Sequence, residues 1–203
     1  MDFDRPLISE LPTLTFPVLV HVGAMDKSQK RGWSLEGDGL SVSDVPRAWV
    51  RIAKLGGLPW WRLMKEDNLL LDAHALHDSQ REEIVRWGLA QGFVRREACW
   101  RVSSYGELGD EIWTFASEAE AREEAFDGDE IVPGERTVAT DDFPDRAGRA
   151  NPEQVLVAIW AEQYDELDEV WWADDLEPGE LSAPRGVLFL SRLDRWSISA
   201  IEV

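Results

Sequence analysis

Two stretches, Val18-Leu19-Val20-His21-Val22-Gly23 and Leu40-Ser41-Val42-Ser43-Asp44-Val45-Pro46, decide the fold class. The first is a short apolar, β-branched run closed by a glycine, which predicts a strand over Val18–Val22. The second alternates apolar and polar residues, as a half-buried strand does, and then turns into a helix start. Asp44 can cap that helix with Pro46 in its first turn, and Trp49, Ile52 and Ala53 supply its apolar face up to Gly56-Gly57. Two strands followed by one helix do not make a regular strand–helix–strand unit.

The same irregular mixing continues outward along the chain. Further strands are predicted at Trp60–Met64, Trp100–Val102, Ile112–Phe115, Val170–Trp172, Val187–Leu190 and Trp196–Ile201. Capping-box spacings at Ser79…Glu82 and Ser117…Glu120 open two helices, the second running to Phe126. Asn151-Pro152 announces a helix over 153–163, although Val155–Trp160 also suits a strand. The stretch 127–150, rich in Gly, Pro, Asp and Arg, reads as a long surface loop. Repeats, heptads and low-complexity tracts are absent from the sequence. The expectation is an α+β fold: a mixed, mainly antiparallel split β-sheet with helices packed around it, in a single domain spanning 1–203.

Composition narrows the function classes. The net charge is −19, from 21 Lys+Arg against 40 Asp+Glu, and nearly all of it lies between Glu107 and Glu180. That block holds 24 acids and 4 bases. An acidic field of this density repels phosphate backbones, so direct nucleic-acid binding is not expected. It suits either a solvated surface or a patch for a basic protein partner, as in an inhibitor, an immunity protein or a nucleic-acid mimic. Cys99 is the only cysteine, which predicts a buried free thiol and a reducing, cytoplasmic setting. Asp2 and Asp4 stand where a secretory signal carries bases, and no stretch is long and apolar enough to suggest a membrane span.

Four groups of residues invite chemical readings. Asp72-Ala73-His74-Ala75-Leu76-His77-Asp78 has two imidazoles with flanking carboxylates, but it lacks the spacing of known zinc sites and reads as a polar turn before a helix. Phosphate-loop and nucleophile-elbow motifs are absent. Trp60-Trp61 and Trp171-Trp172 each put one indole on either side of a strand, so one ring of each pair belongs to the core. Finally, His21, the pair Ser41 and Ser43, a carboxylate among Glu169, Asp174 and Asp175, and Arg185 sit on or beside separate predicted strands. An imidazole, hydroxyls and a carboxylate brought together would suit a nucleotide sugar, with the acid stabilising a developing oxocarbenium ion.

On Val20-His21-Val22-Gly23, Gly39-Leu40-Ser41-Val42-Ser43 and the Arg185–Trp196 segment, the chain resembles the histidine-containing branch of the ADP-ribosyltransferase superfamily. The Ser41-x-Ser43 pair is similar to the Ser-x-Ser of the other branch, while the family's second-strand aromatic is absent. The resemblance implies NAD as donor, with His21, Gly23, Ser41 and Ser43 positioning it and Arg185 pairing with its diphosphate. It leaves Glu169, Asp174 and Asp175 all open as the catalytic acid. The leading expectation is therefore an NAD-dependent transferase, and the alternative is a non-enzymatic acidic protein acting on a basic partner.

Overall fold

A computed structural model describes residues 6–25, 39–52, 54–106, 109–144, 152–172 and 185–202. The chain has an α+β fold with mostly antiparallel sheets, and it divides into two compact units. One unit comprises Met1–Trp87 with Asp145–Val203, and the other comprises Gly88–Pro144.

The larger unit holds two sheets. Strands β1 (Thr13–Leu14), β3 (Leu40–Val42), β5 (Leu70–Asp72), β9 (Glu169–Trp172) and β10 (Arg185–Leu188) form a five-stranded sheet in the order β1-β5-β9-β10-β3. Its pairings are antiparallel except β5 with β9, and that parallel pair is buried on both faces, as parallel pairing favours. Strands β2 (Val18–Val22), β4 (Trp60–Met64) and β11 (Ser197–Ile201) form an antiparallel sheet in the order β11-β4-β2. A bridge between Val20 and Ser43 ties β2 to β3.

Strand alternation explains where the core lies. Leu19 and Leu63 stand opposite each other on the three-stranded sheet, and Leu40, Val42, Leu70, Trp171 and Leu188 share one face of the five-stranded sheet. These side chains meet in one buried cluster completed by Trp196. Phe16 closes it, with its ring 4.5 Å from that of Trp171. The Phe16 backbone is in turn held by buried Asn68, whose amide oxygen accepts from Phe16 N at 3.0 Å and whose amide nitrogen donates to Phe16 O at 2.9 Å.

Helix α1 (Pro46–Ile52) lies on β2, where Val22 packs with Val45, Ala48 and Val50. Helix α4 (Pro152–Ala161) lies against β9, with Val155–Ala158, Trp160 and Ala161 buried. The helix reading of 153–163 holds, and the strand alternative does not. Helix α2 (Asp78–Gln91) begins one residue before Ser79. Its cap is not the Ser79…Glu82 box: the Gln80 side chain accepts from His77 N at 2.9 Å, so the reciprocal contact forms two positions earlier than expected.

The smaller unit is a three-stranded antiparallel sheet, β6 (Val94–Gly106), β7 (Gly109–Phe115) and β8 (Glu130–Ala139), in the order β7-β6-β8, with β6 in the centre. Helix α3 (Glu118–Glu124) touches all three strands and buries Ala121. Ser117 caps it, accepting from Glu120 N at 3.2 Å, and the helix stops short of Phe126. Strand β8 corrects the reading of 127–150 as one long loop. Its Pro, Gly and charged residues are tolerated because it is an edge strand, half-exposed throughout, with no buried face demanding alternation. Cys99 is a buried free thiol, as expected.

Candidate functional site

The residues singled out around His21 fall into the larger unit, and their surroundings are mostly occupied. His21 projects from β2 on the face it shares with Leu19, toward the core cluster, and is buried. Its ring Nδ1 lies 2.7 Å from the Ser41 carbonyl oxygen. A carbonyl only accepts, so Nδ1 carries the proton and the ring orientation is fixed by the neighbouring strand. Ser41 thus meets His21 through its backbone rather than its hydroxyl. Gly23 follows at φ +141, and a β-carbon there would stand 3.2 Å from His21 Nε2. The glycine is therefore needed for both its backbone angle and its closeness to the imidazole. Trp61 seals this corner by donating its indole N–H to Gly23 O at 2.9 Å.

Ser43 is fully buried, and its hydroxyl accepts from Val45 N at 3.1 Å, a local turn contact leading into α1. Arg185 opens β10, half-buried opposite Trp172. Asp174 and Asp175 lie outside the described residues, as do the basic connection 26–32 and Ser182–Pro184.

Glu169 is the remaining acid, and its setting is unusual. It is 0% exposed on β9, beside Leu70 and Leu188 on the core-facing side of the sheet. Neither carboxyl oxygen has a hydrogen-bond partner among the described residues. Burial, aided by the neighbouring Asp168 carboxylate, pushes its pKa well above the ordinary carboxyl range. A β-carbon at Gly186 would fall 2.1 Å from Glu169 Oε1, so the missing side chain of Gly186 is what makes room for the acid. Strand β9 stands two strand spacings, about 10 Å, from β3. Glu169 and the His21–Ser41 contact thus occupy separate parts of the sheet system.

The adjacent acid is paired. Asp168 is fully buried, with Oδ2 accepting from Lys65 Nζ at 2.6 Å and from Leu69 N at 3.2 Å. This ion pair and Asn68 lock the turn between β4 and β5. Sequence reasoning passed over both, and the available signal was an Asp-Glu pair inside the otherwise apolar Leu167–Trp171 run. The tryptophan reading is sharpened. Trp171 is in the core and Trp172 half-buried, while Trp61 and Trp60 pack against clusters on opposite faces of β4. His74 and His77 are exposed in a turn that Asp72 holds by accepting from His74 N at 3.1 Å and Ala75 N at 3.3 Å.

The smaller unit carries the exposed charge. Gly88–Pro144 contains 14 acids and 5 bases, a net of −9 in a unit well under half the size of the other. Glu120, Glu123, Glu124, Asp127 and Glu130 are exposed on and after α3. Its cations are partly engaged: Arg122 pairs with Glu118 at 2.6 Å, and Arg95 and Arg136 flank Glu97 at 2.5 and 3.5 Å. The Arg95 hydrogen bond, with Arg136 on the other side, holds the Glu97 carboxyl below its usual range.

Among the described residues no helix is long and apolar enough to cross a membrane. Compared with protein-family models, curated proteins and solved structures, the chain matches none.

Proposed function

We propose that this is a non-enzymatic acidic protein that docks a basic protein partner through the exposed face of its Gly88–Pro144 unit. The observation that carries the reading is the concentration of charge there, 14 acids against 5 bases, with the α3 carboxylates open to solvent. Such a field raises encounter rates with cationic partners and disfavours nucleic acid. The setting proposed is the reducing cytoplasm, in keeping with a lone buried thiol. The test is salt dependence of binding to a purified partner. Raising salt from about 50 to about 500 mM should weaken association at least about tenfold. Salt-independent association would remove electrostatics as its basis.

A second reading, an NAD-dependent ADP-ribosyltransferase-like enzyme, is favoured by one contact. The His21 ring lies against the Ser41 carbonyl beside Gly23, joining three of the residues proposed to hold the dinucleotide. On this reading Arg185 would pair with the diphosphate, and Asp174 or Asp175 would be the acid, since Glu169 is buried in the core two strand spacings from the strand that carries Ser41. Saturation-transfer NMR should detect NAD at millimolar concentration and lose it on His21→Ala; no transfer to NAD would end this reading.

A further inference from the structure

The two edges of the three-stranded sheet, β7 and β8, are unlike. Along β8 the edge carries Pro133 near its centre with exposed Glu130 and Glu135 around it, the devices that block addition of another strand. Strand β7 carries none of them over Ile112–Phe115, and its residues are strand formers. Ile112 is 55% and Trp113 36% exposed, and Thr114 is exposed between Trp113 and Phe115.

The proline also fixes which backbone groups face outward. The β6–β8 ladder runs without a bulge from Val94↔Ala139 to Ser103↔Glu130. Pro133 has no N–H, so it occupies a site whose backbone groups point away from β6. Its partner Trp100 then turns its own N–H and C=O toward β7, where it faces Phe115. Alternation leaves Phe115 and Trp113 bonded inward, and Ile112 and Thr114 with N–H and C=O directed at the free edge. No described residue pairs with that edge.

We infer that β7 is a strand-addition site, and that its occupant is an extended segment of the basic partner with cationic residues at alternate positions. This deepens the docking reading and rests on it. Backbone bonds at Ile112 and Thr114 would fix the register, Ile112 and Trp113 would give apolar contact on the two faces, and the exposed carboxylates of α3, which packs against β7, would select lysine and arginine. A second copy of this chain is disfavoured as occupant, because edge-to-edge pairing would bring two units of net −9 together.

The probe is an octapeptide of alternating Lys and Val, titrated into the full-length protein with amide exchange followed by NMR. Saturating peptide should slow exchange at Ile112 and Thr114 by at least about tenfold, while Trp113 and Phe115, already bonded inward, change little. Thr114→Pro removes an outward donor as Pro133 does on the other edge, and should weaken the peptide about tenfold, whereas Thr114→Val should not. The same peptide with alternate amides N-methylated tests the ladder with no change to the protein, and should also bind about tenfold more weakly. Equal affinity of the methylated peptide, or binding without protection at Ile112 and Thr114, would overturn strand addition while leaving electrostatic docking standing. Dimerisation lost in Thr114→Pro would overturn the choice of occupant.

Discussion

Replacing Glu169 by Gln should abolish a pH dependence that the wild-type protein owes to one buried acid. The carboxyl is fully buried, has no hydrogen-bond partner among the described residues and keeps its proton well above the ordinary range, because burial and the neighbouring Asp168 oppose ionisation. In the unfolded chain the same group ionises near about pH 4.3. Between that pH and the raised folded-state pKa, the folded protein binds one more proton than the unfolded chain. Rising pH therefore favours unfolding. The slope is about 1.4 kcal/mol of stability lost per pH unit over that window, and the contribution is intact below it. Gln has nearly the same shape and fits the space left by Gly186, but it cannot ionise. Urea denaturation of both proteins at steps upward from about pH 5 isolates the effect, since every other group is common to both. The variant should gain on the wild type by that slope as pH rises. Parallel stability curves would refute the account of Glu169 as a protonated, unpaired core acid.

Other outcomes follow from the same region. Lys65→Met should cost about 3 kcal/mol in chemical denaturation, because the fully buried Asp168 carboxylate loses its close cation and keeps only Arg195, 4.0 Å away; Lys65→Met with Asp168→Asn should recover much of that loss. Gly186→Ala should destabilise by about 1–3 kcal/mol, since its β-carbon meets Glu169 Oε1 and the Trp171 ring. The cost should shrink in the Glu169→Ala background, and strict additivity would argue against that clash.

Much of the fold is legible in residue pattern. Val18–Val22 and Trp60–Met64 are β-rich, turn-bounded runs that became strands with those bounds. Other elements hid because the forces that place them leave no periodic trace. In β6 only Trp100–Val102 reads as a strand, yet pairing extends from Val94 to Gly106 through exposed Arg95 and Arg96 and half-buried Glu97, a charged stretch with no apolar alternation. Strand β8 looked like a loop for the same reason, with Pro133-Gly134 suppressing its strand character further. The site was only partly visible. His21, Gly23 and Ser41 do come together, but Ser43 is engaged by Val45 and Glu169 by the core. Charge type alone does not tell a buried neutral carboxyl from a catalytic one; that distinction comes from the neighbouring strands. The acidic block likewise divides on folding, for Asp168 and Glu169 are interior while the α3 carboxylates face solvent.

The most direct test of the docking claim compares two charge-reversal variants of equal size. Glu120, Glu123, Glu124 and Asp127 are changed to Lys in one, and Glu66, Asp67, Glu166 and Asp194, all exposed on the other unit, in the second. Affinity for the alternating Lys-Val peptide is measured for each by calorimetry at fixed low salt. The account predicts a loss of at least about tenfold for the first variant and a much smaller one for the second. Equal losses would reduce the effect to net charge, and an intact affinity in the first would contradict the claim that this face docks a basic partner.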